Sequence, residues 1–357
     1  MRSVEMFAGA GGLAIGMSAA GFRHAAVIEW DHDACETFRE NQRAQGRSLA
    51  EWPVHECDIR EFDYSSLGDI SVVSWGPPCQ PFSLGGKHRA YNDRRDMFPE
   101  AVRAVRELRP KAFILENVKG LMRETFAAYF EYVLLQLAHP AVTRKPDESW
   151  QLHRSRLERH HTSGLNRADY NVVFRLLNAA DYGVPQRRER VLIVGFRSDL
   201  GVRWGFPEGS HSEDALLRSQ WVTGEYWDRH KVAKKHRPAW GPSPLRIARL
   251  GESGLFDSCK LPWKTVRDAI GDLPDPEKDR GGGVLNHGFN PGARAYPGHT
   301  GSPLDEPAKT LKAGDHGVPG GENMLARPDG SVRYFTIREA ARLQTFPDGY
   351  AFRGPWT

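Results

Sequence analysis

The chain has 357 residues, of which 39% are hydrophobic and 26% charged, and a formal net charge of +4 at pH 7. That is the composition of an ordinary soluble protein, large enough for one large domain and a smaller one. No apolar run approaches the roughly 20 residues of a membrane span, the opening MRSVEMFAGAGG is not built like a secretory signal, and the four cysteines (35, 57, 79 and 259) form no CxxC pair. Neither a metal site, a disulfide framework nor a membrane partner is therefore expected, and a reducing cytoplasm is. The charge is uneven: residues 1–75 carry 6 Lys+Arg against 12 Asp+Glu, and the remainder 43 against 33. The stretch 229–249 has seven Lys/Arg and no acid. An acidic first segment beside basic blocks points to a polyanionic partner.

In chain order, Val4, Met6 and Phe7 make a short strand that runs into Gly9-Ala10-Gly11-Gly12, and Leu13 to Ala20 reads as a helix. Strand, glycine turn and helix open a nucleotide-binding unit in which bare backbone approaches a ligand. The spacing is not GxGxxG. A second strand, 25–28, ends in Glu29, twenty residues after Gly9, where an acid suits a ribose diol. A third unit ends in Cys57-Asp58-Ile59 and offers another carboxylate at the same edge. Together these pieces describe a pocket for an adenosine-containing cofactor. No phosphate-binding Lys follows the glycines, and the acidic balance suits a cationic group, so S-adenosylmethionine fits better than NAD or ATP.

The strand 70–74 then breaks into Gly76-Pro77-Pro78-Cys79-Gln80-Pro81-Phe82-Ser83. Prolines fix φ and stop the segment from continuing as strand or helix. One thiol is thus held at the carboxyl edge of a strand, where open α/β sheets place their ligand sites. From the stretch alone, Cys79 reads equally as a nucleophile and as a small buried hydrophobe. Leu84 to Arg89 is a glycine-containing basic loop suited to phosphate. Residues 97–108 have helical periodicity, and 112–115 form a strand that delivers Glu116-Asn117-Val118 to the edge that carries Cys79. Residues 139–167 read as an inserted loop or helical excursion with solvated or phosphate-facing histidines. The strands at 172–177 and 190–196 flank Arg187, Arg188 and Arg190, which need acidic partners or an anion. From 197 to 332 Pro, Gly and Trp recur without helical period, the texture of a second, loop-rich domain. At 336–344 a helix returns, with Thr336 and Glu339 spaced as a capping box.

In order and content these segments resemble the DNA cytosine-5 methyltransferases, bacterial restriction–modification type. FAGAGG at 7–12 resembles the family's cofactor loop, Glu29-Trp30 its ribose-binding acid and neighbour, and Asp58-Ile59 its adenine-contacting pair. GPPCQPFS at 76–83 resembles the catalytic motif, ENV at 116–118 the second catalytic motif, QRRER at 186–190 the arginine motif, and 333–348 the late structural motif. The resemblance implies an α/β fold: a Rossmann-like S-adenosylmethionine-dependent methyltransferase sheet, formed by 1–196 and completed by 333–357. A smaller loop-rich target-recognition domain, 197–332, goes with it. The implied cofactor residues are Phe7, Gly9, Ala10, Gly11, Gly12, Leu13, Glu29, Trp30, Asp58, Ile59, Pro78 and Met97. The implied catalytic residues are Cys79, Glu116, Arg188 and Arg190. Duplex DNA is the implied partner, with Gln80, Ser83, Lys87, Arg89, Lys234, Lys235, Thr310 and Leu311 as contacts.

The family's last motif, a GN-containing segment, does not follow residue 348; either the sequence is cut short of it or a second polypeptide supplies it, and otherwise a monomer is expected. Two other readings stay open at this point. One is an RNA (tRNA) cytosine-5 methyltransferase, which would share PPCQ and ENV. The other is an inactive or partial DNA-binding subunit.

Overall fold

The structure, a computed structural model, describes residues 1–45, 52–77, 96–163, 167–238, 241–252, 260–279, 282–297, 299–312 and 323–355. The chain forms two compact units. The first comprises Met1–Leu176, Arg190–Phe206 and Phe352–Gly354, and the second Leu177–Glu189, Pro207–Ala351 and Pro355–Thr357. The sequence places the domain boundary at 196/197 and 333–357 with the first domain; by packing, residues 177–189 and 333–351 group with the second unit.

The first unit is built on a seven-stranded sheet. Its elements are β1 (Arg2–Met6), α1 (Gly12–Ala19), β2 (Arg23–Glu29), α2 (His32–Gln45), β3 (Val54–Glu56), β4 (Val72–Trp75), α3 (Phe98–Leu108), β5 (Ala112–Val118), α4 (Ala127–Ala138), α5 (Trp150–Thr162), β6 (Tyr170–Asn178) and β7 (Glu189–Arg197). The strand order is β3-β2-β1-β4-β5-β7-β6. The pairs β1–β2, β2–β3, β1–β4 and β4–β5 are parallel, and β7 runs antiparallel to β5. All four residues of β4 are buried, as expected of a central strand covered on both faces, whose sequence reads as a continuous apolar run.

Strand alternation sends Val4, Met6, Val73, Trp75, Phe113 and Leu115 to one face, where they join the main core with Phe98, Ala101, Val102 and Val105 of α3 and Tyr129, Phe130 and Val133 of α4. Phe113 stands opposite Gly195 of β7; a Cβ there would overlap its ring, so only glycine fits. On the other face Met17 of α1 packs on Val72 and Ala112.

The excursion at 139–167 contains a helix: Ser149 caps α5 by accepting from Leu152 N at 3.3 Å. The expectation of solvated or phosphate-facing histidines fails for His153, which is 2% exposed. Its Nδ1 lies 2.8 Å from Tyr132 Oη and its Nε2 2.8 Å from Val142 O. The carbonyl can only accept, so Nε2 carries the proton and Nδ1 receives the phenol O–H. Burial pulls the pKa of this ring below its usual value.

The second unit contains short elements: β8 (His211–Ser212), α6 (Glu213–Trp221), α7 (Glu225–Arg229), α8 (Pro244–Glu252), β9 (Leu261–Pro262), α9 (Val266–Ile270), α10 (Pro276–Asp279), β10 (Ser302–Pro303), β11 (Met324–Ala326), β12 (Val332–Tyr334) and α11 (Ile337–Leu343). One core joins Val266, Ile270, Leu311, Leu325, Phe335 and Leu343, and another joins Leu216, Tyr226, Trp227 and Trp263. α11 carries the expected capping box between Thr336 and Glu339. Glu339 also takes two bonds of 2.6 Å from Arg333, and both residues are buried. No described helix is long and apolar enough to cross a membrane.

Candidate active site

β1 ends at Met6, and the chain then turns sharply. Phe7 has φ 54°, Gly9 φ 52° and Gly11 φ 90°. A left-handed phenylalanine is an uncommon, strained conformation, and the glycines that follow supply the same sign of φ at no steric cost. A Cβ at Gly9 would meet nothing within 4 Å, so this backbone faces open space. Across the strand pair, Glu29 at the end of β2 is 8% exposed. Its Oε2 accepts from Gly9 N at 2.7 Å, and its Oε1 from Trp30 N at 2.9 Å and Asp31 N at 3.0 Å. One carboxylate therefore pins the glycine turn to the next strand end. The Trp30 indole beside it is 71% exposed.

Ile59 is buried, and the Asp58 carboxylate caps the following turn through Arg60 N at 3.0 Å. Its ion pair with Arg60 holds that carboxyl below the usual range. Met97 packs against the main core just ahead of α3. Ala10, Gly12 and Leu13 complete the turn into α1.

On the neighbouring strands the second cluster takes shape. β5 delivers Glu116 to the edge, and β7, running the other way, begins there. Val118 therefore pairs with Arg190 and Glu116 with Leu192. Arg190 Nε lies 2.6 Å from Glu116 Oε1, with both side chains partly exposed. A Cβ on Gly76, the residue after β4, would stand 3.4 Å from Glu116 Oε2, which places the end of β4 beside the carboxylate. Asn117 points to the opposite face and is 1% exposed. Its Oδ1 accepts from Val118 N at 2.8 Å, while its buried Nδ2 has no partner among the described residues.

Pro78, Cys79, Gln80, Ser83, Lys87 and Arg89 lie outside the described residues. Arg188 belongs to the second unit, where its backbone bonds Asn178 Oδ1 and Ala179 N. Of the three arginines expected to need acids, Arg187 finds Glu213 and Glu306, and Arg190 finds Glu116. Lys234 and Lys235 are exposed on a 3-10 turn. Leu311 is buried in a core, and its N–H donates to Gln186 Oε1. Thr310 Oγ1 donates to Arg187 O at 2.7 Å. The side chain of Leu311 is thus spent on packing.

The C-5 cytosine-specific DNA methylase family model matches this chain over residues 1–139 and 152–240. The chain belongs to that family. As a C-5 cytosine methylase it is a DNA cytosine methyltransferase that uses S-adenosylmethionine. Its relatives include the type II methyltransferase M.AquIA of a Picosynechococcus strain, 33% identical over 310 residues that cover 81% of this chain and 99% of the relative. M.NgoMIV of Neisseria gonorrhoeae is 34% identical, over 65% of this chain and 66% of its own. M.Eco47II of Escherichia coli is 29% identical, over 99% and 72%. Among solved structures, a Spodoptera frugiperda DNMT2 variant aligns with TM-score 0.55 at 14% identity, over 98% of this chain and 90% of that one. That likeness is one of fold.

The residues of the methylase fit its cofactor. The glycine turn faces open space, Glu29 brings negative charge to the sheet edge, and the exposed Trp30 indole offers a stacking face. Among the described residues no cluster of His, Cys, Asp and Glu could hold a metal.

Proposed function

We propose that this methylase modifies C5 of a cytosine flipped out of duplex DNA, through a covalent bond between Cys79 and C6 of the base. The observation that carries the reading is the 2.6 Å Glu116–Arg190 pair at the edge reached by β4, the strand that leads into PPCQ. A cytosine ring is a poor nucleophile at C5; addition of a thiolate at C6 makes C5 electron-rich. Glu116 hydrogen-bonds N3 and the exocyclic amine, and Arg190, assisted by Arg188, holds the O2 oxygen and orients the carboxylate. S-adenosylmethionine, when bound, supplies an electrophilic methyl group. Glu29 and Trp30 hold its adenosine end, with Phe7 to Leu13, Asp58, Ile59, Pro78 and Met97 lining the pocket. After methylation a base takes the C5 proton, the C6–S bond breaks, and Cys79 leaves as thiolate. None of this can occur within the base stack, so the base must be extruded.

In this reading the second unit reads the target, with Lys234, Lys235 and Thr310 near phosphate, and the segment from Gln80 through Ser83, Lys87 and Arg89 grips the backbone beside the flipped base. The family and its relatives give no support to a second polypeptide as a standing partner, and none is invoked.

Duplex DNA carrying 5-fluorocytosine in its target, with S-adenosylmethionine, should trap a covalent complex, because fluorine cannot leave as the proton does. Cys79→Ser should abolish the trap; a complex that survives this change would sink the nucleophile assignment. Matched duplex DNA and tRNA offered as methyl acceptors decide between the two substrate classes.

A further inference from the structure

Glu5 lies in the middle of β1, a strand otherwise apolar from Val4 to Phe7. It is 1% exposed and Ser74, its register partner on β4, is wholly buried. Ser74 Oγ donates to Glu5 Oε2. The bond crosses the sheet between two strands whose carboxyl ends carry different loops. Two residues after Glu5 comes Phe7, where the left-handed turn of the cofactor loop begins. Two residues after Ser74 comes Gly76, which lies beside Glu116 Oε2, and the PPCQ segment follows.

We propose that Glu5 and Ser74 are positioning residues for methyl transfer, a buried clamp that fixes β1 against β4 and so sets the cofactor loop relative to the catalytic loop. It rests on the reading above in assigning Cys79 to the second loop.

The chemistry of the pair supports a positioning role over plain packing. Burial pushes the Glu5 carboxyl up to about 8, with the Ser74 hydrogen bond working in the other direction. Among the described residues the surroundings offer no compensating charge. Helix α1, on this face, is Gly-Leu-Ala-Ile-Gly-Met-Ser-Ala and carries no titratable side chain. On β2, His24 bonds Ser3 Oγ and Ala14 O and is held neutral by burial, and Glu29 is committed to Gly9, Trp30 and Asp31. On β5, Glu116 is paired with Arg190. Among the described residues no cation pairs with Glu5, so an ionised carboxylate there would stand unpaired between two strands. The neutral acid holds the clamp; the anion strains it.

The test is calorimetric binding of S-adenosylhomocysteine to the full chain from pH 6.5 to 9.5, for wild type, Glu5→Gln and Ser74→Ala. If only the neutral form holds the binding geometry, wild-type affinity should fall about tenfold by pH 9 relative to Glu5→Gln, an isostere that keeps the hydrogen bond and cannot ionise. In Ser74→Ala, which lacks the bond itself, affinity should be low at every pH and show no such fall. Parallel profiles for wild type and Glu5→Gln would overturn the proposal while leaving the cofactor reading intact. No binding by wild type at any pH would remove that reading and the clamp with it. Should Glu5→Gln not fold, the carboxyl carbon resonances of labelled wild type decide: a Glu resonance titrating near pH 8 supports the clamp, and none above pH 6 overturns it.

Discussion

Arg190 Nε stands 2.6 Å from Glu116 Oε1, although the two residues are separated by a helix pair and two strand connections along the chain. The pair is partly exposed, so its contribution to stability is small, about 0–1 kcal/mol. Its value lies in direction: a guanidinium fork fixes where the carboxylate points. Arg190→Ala should leave the melting temperature within a few degrees of wild type. It should lower kcat by roughly a hundredfold through loss of alignment. Arg190→Lys should recover little of the loss, since an ammonium restores charge without the planar fork. Steady-state methyl transfer beside a melting curve checks both.

Glu29 accepts three backbone hydrogen bonds through a nearly buried carboxylate. Glu29→Ala leaves Gly9 N without that acceptor and frees the glycine turn. A charge-assisted bond of this kind contributes about 1.5–3 kcal/mol. We expect destabilisation of about 2 kcal/mol and at least a tenfold loss of cofactor affinity, read by chemical denaturation and by calorimetry. Glu29→Gln, which keeps one acceptor oxygen, should fall between.

Glu339 caps α11 through Thr336 N at 2.9 Å and holds the buried Arg333 through both its oxygens. Glu339→Ala strands a buried guanidinium, which costs about 3–5 kcal/mol. The second unit should then unfold at lower denaturant, or the variant should be insoluble. Arg333→Met together with Glu339→Leu, which removes both charges, should recover much of the loss.

His24, His139 and His153 are all held below their usual pKa first by burial. Well above pH 6.5 these rings are neutral in both folded and unfolded chains and exert no pH effect. As the pH falls below 6.5 the unfolded chain takes up protons first, so stability is lost progressively. Glu5 acts oppositely over pH 4.5 to 8: its folded form keeps the proton that the unfolded form releases, so acidification through that window stabilises. A difference measurement separates them. The urea midpoint of wild type relative to His153→Gln should be constant from pH 7 to 8 and should decline from pH 6.5 to 5.5. A flat difference would mean that His153 is protonated equally in both states.

Where local chemistry is decisive the sequence spoke plainly. Apolar runs that end in Phe7, Glu29, Trp75 and Glu116 became parallel strands, because buried strands leave no alternation to misread. Thr336 and Glu339 declared a capping box and formed one. What pairing and packing decide was not legible. Glu5 is a charged residue by type, and only the neighbouring strand shows that Ser74 faces it. His153 sits among arginines in sequence, yet its helical position turns it inward to Tyr132 while Arg154 and Arg156 turn to acids. Leu311, read as a recognition residue, is claimed by a core that includes Val266 and Leu343, which are remote in sequence.

The reversal of β7 against β5 sets a rule for which lengths of chain this methylase can vary. Every parallel strand presents its last residues to the catalytic edge, but β7 presents its first, so Arg190 is placed by pairing with Val118 and not by the loop before it. Residues added before Glu189 lengthen a connection and leave the guanidinium where it was. A single residue added between Arg190 and Leu192 shifts the strand by one and turns that side chain to the other face of the sheet. The connection that enters β7 can therefore change in length without moving the guanidinium, while the few positions beyond residue 189 are fixed by counting.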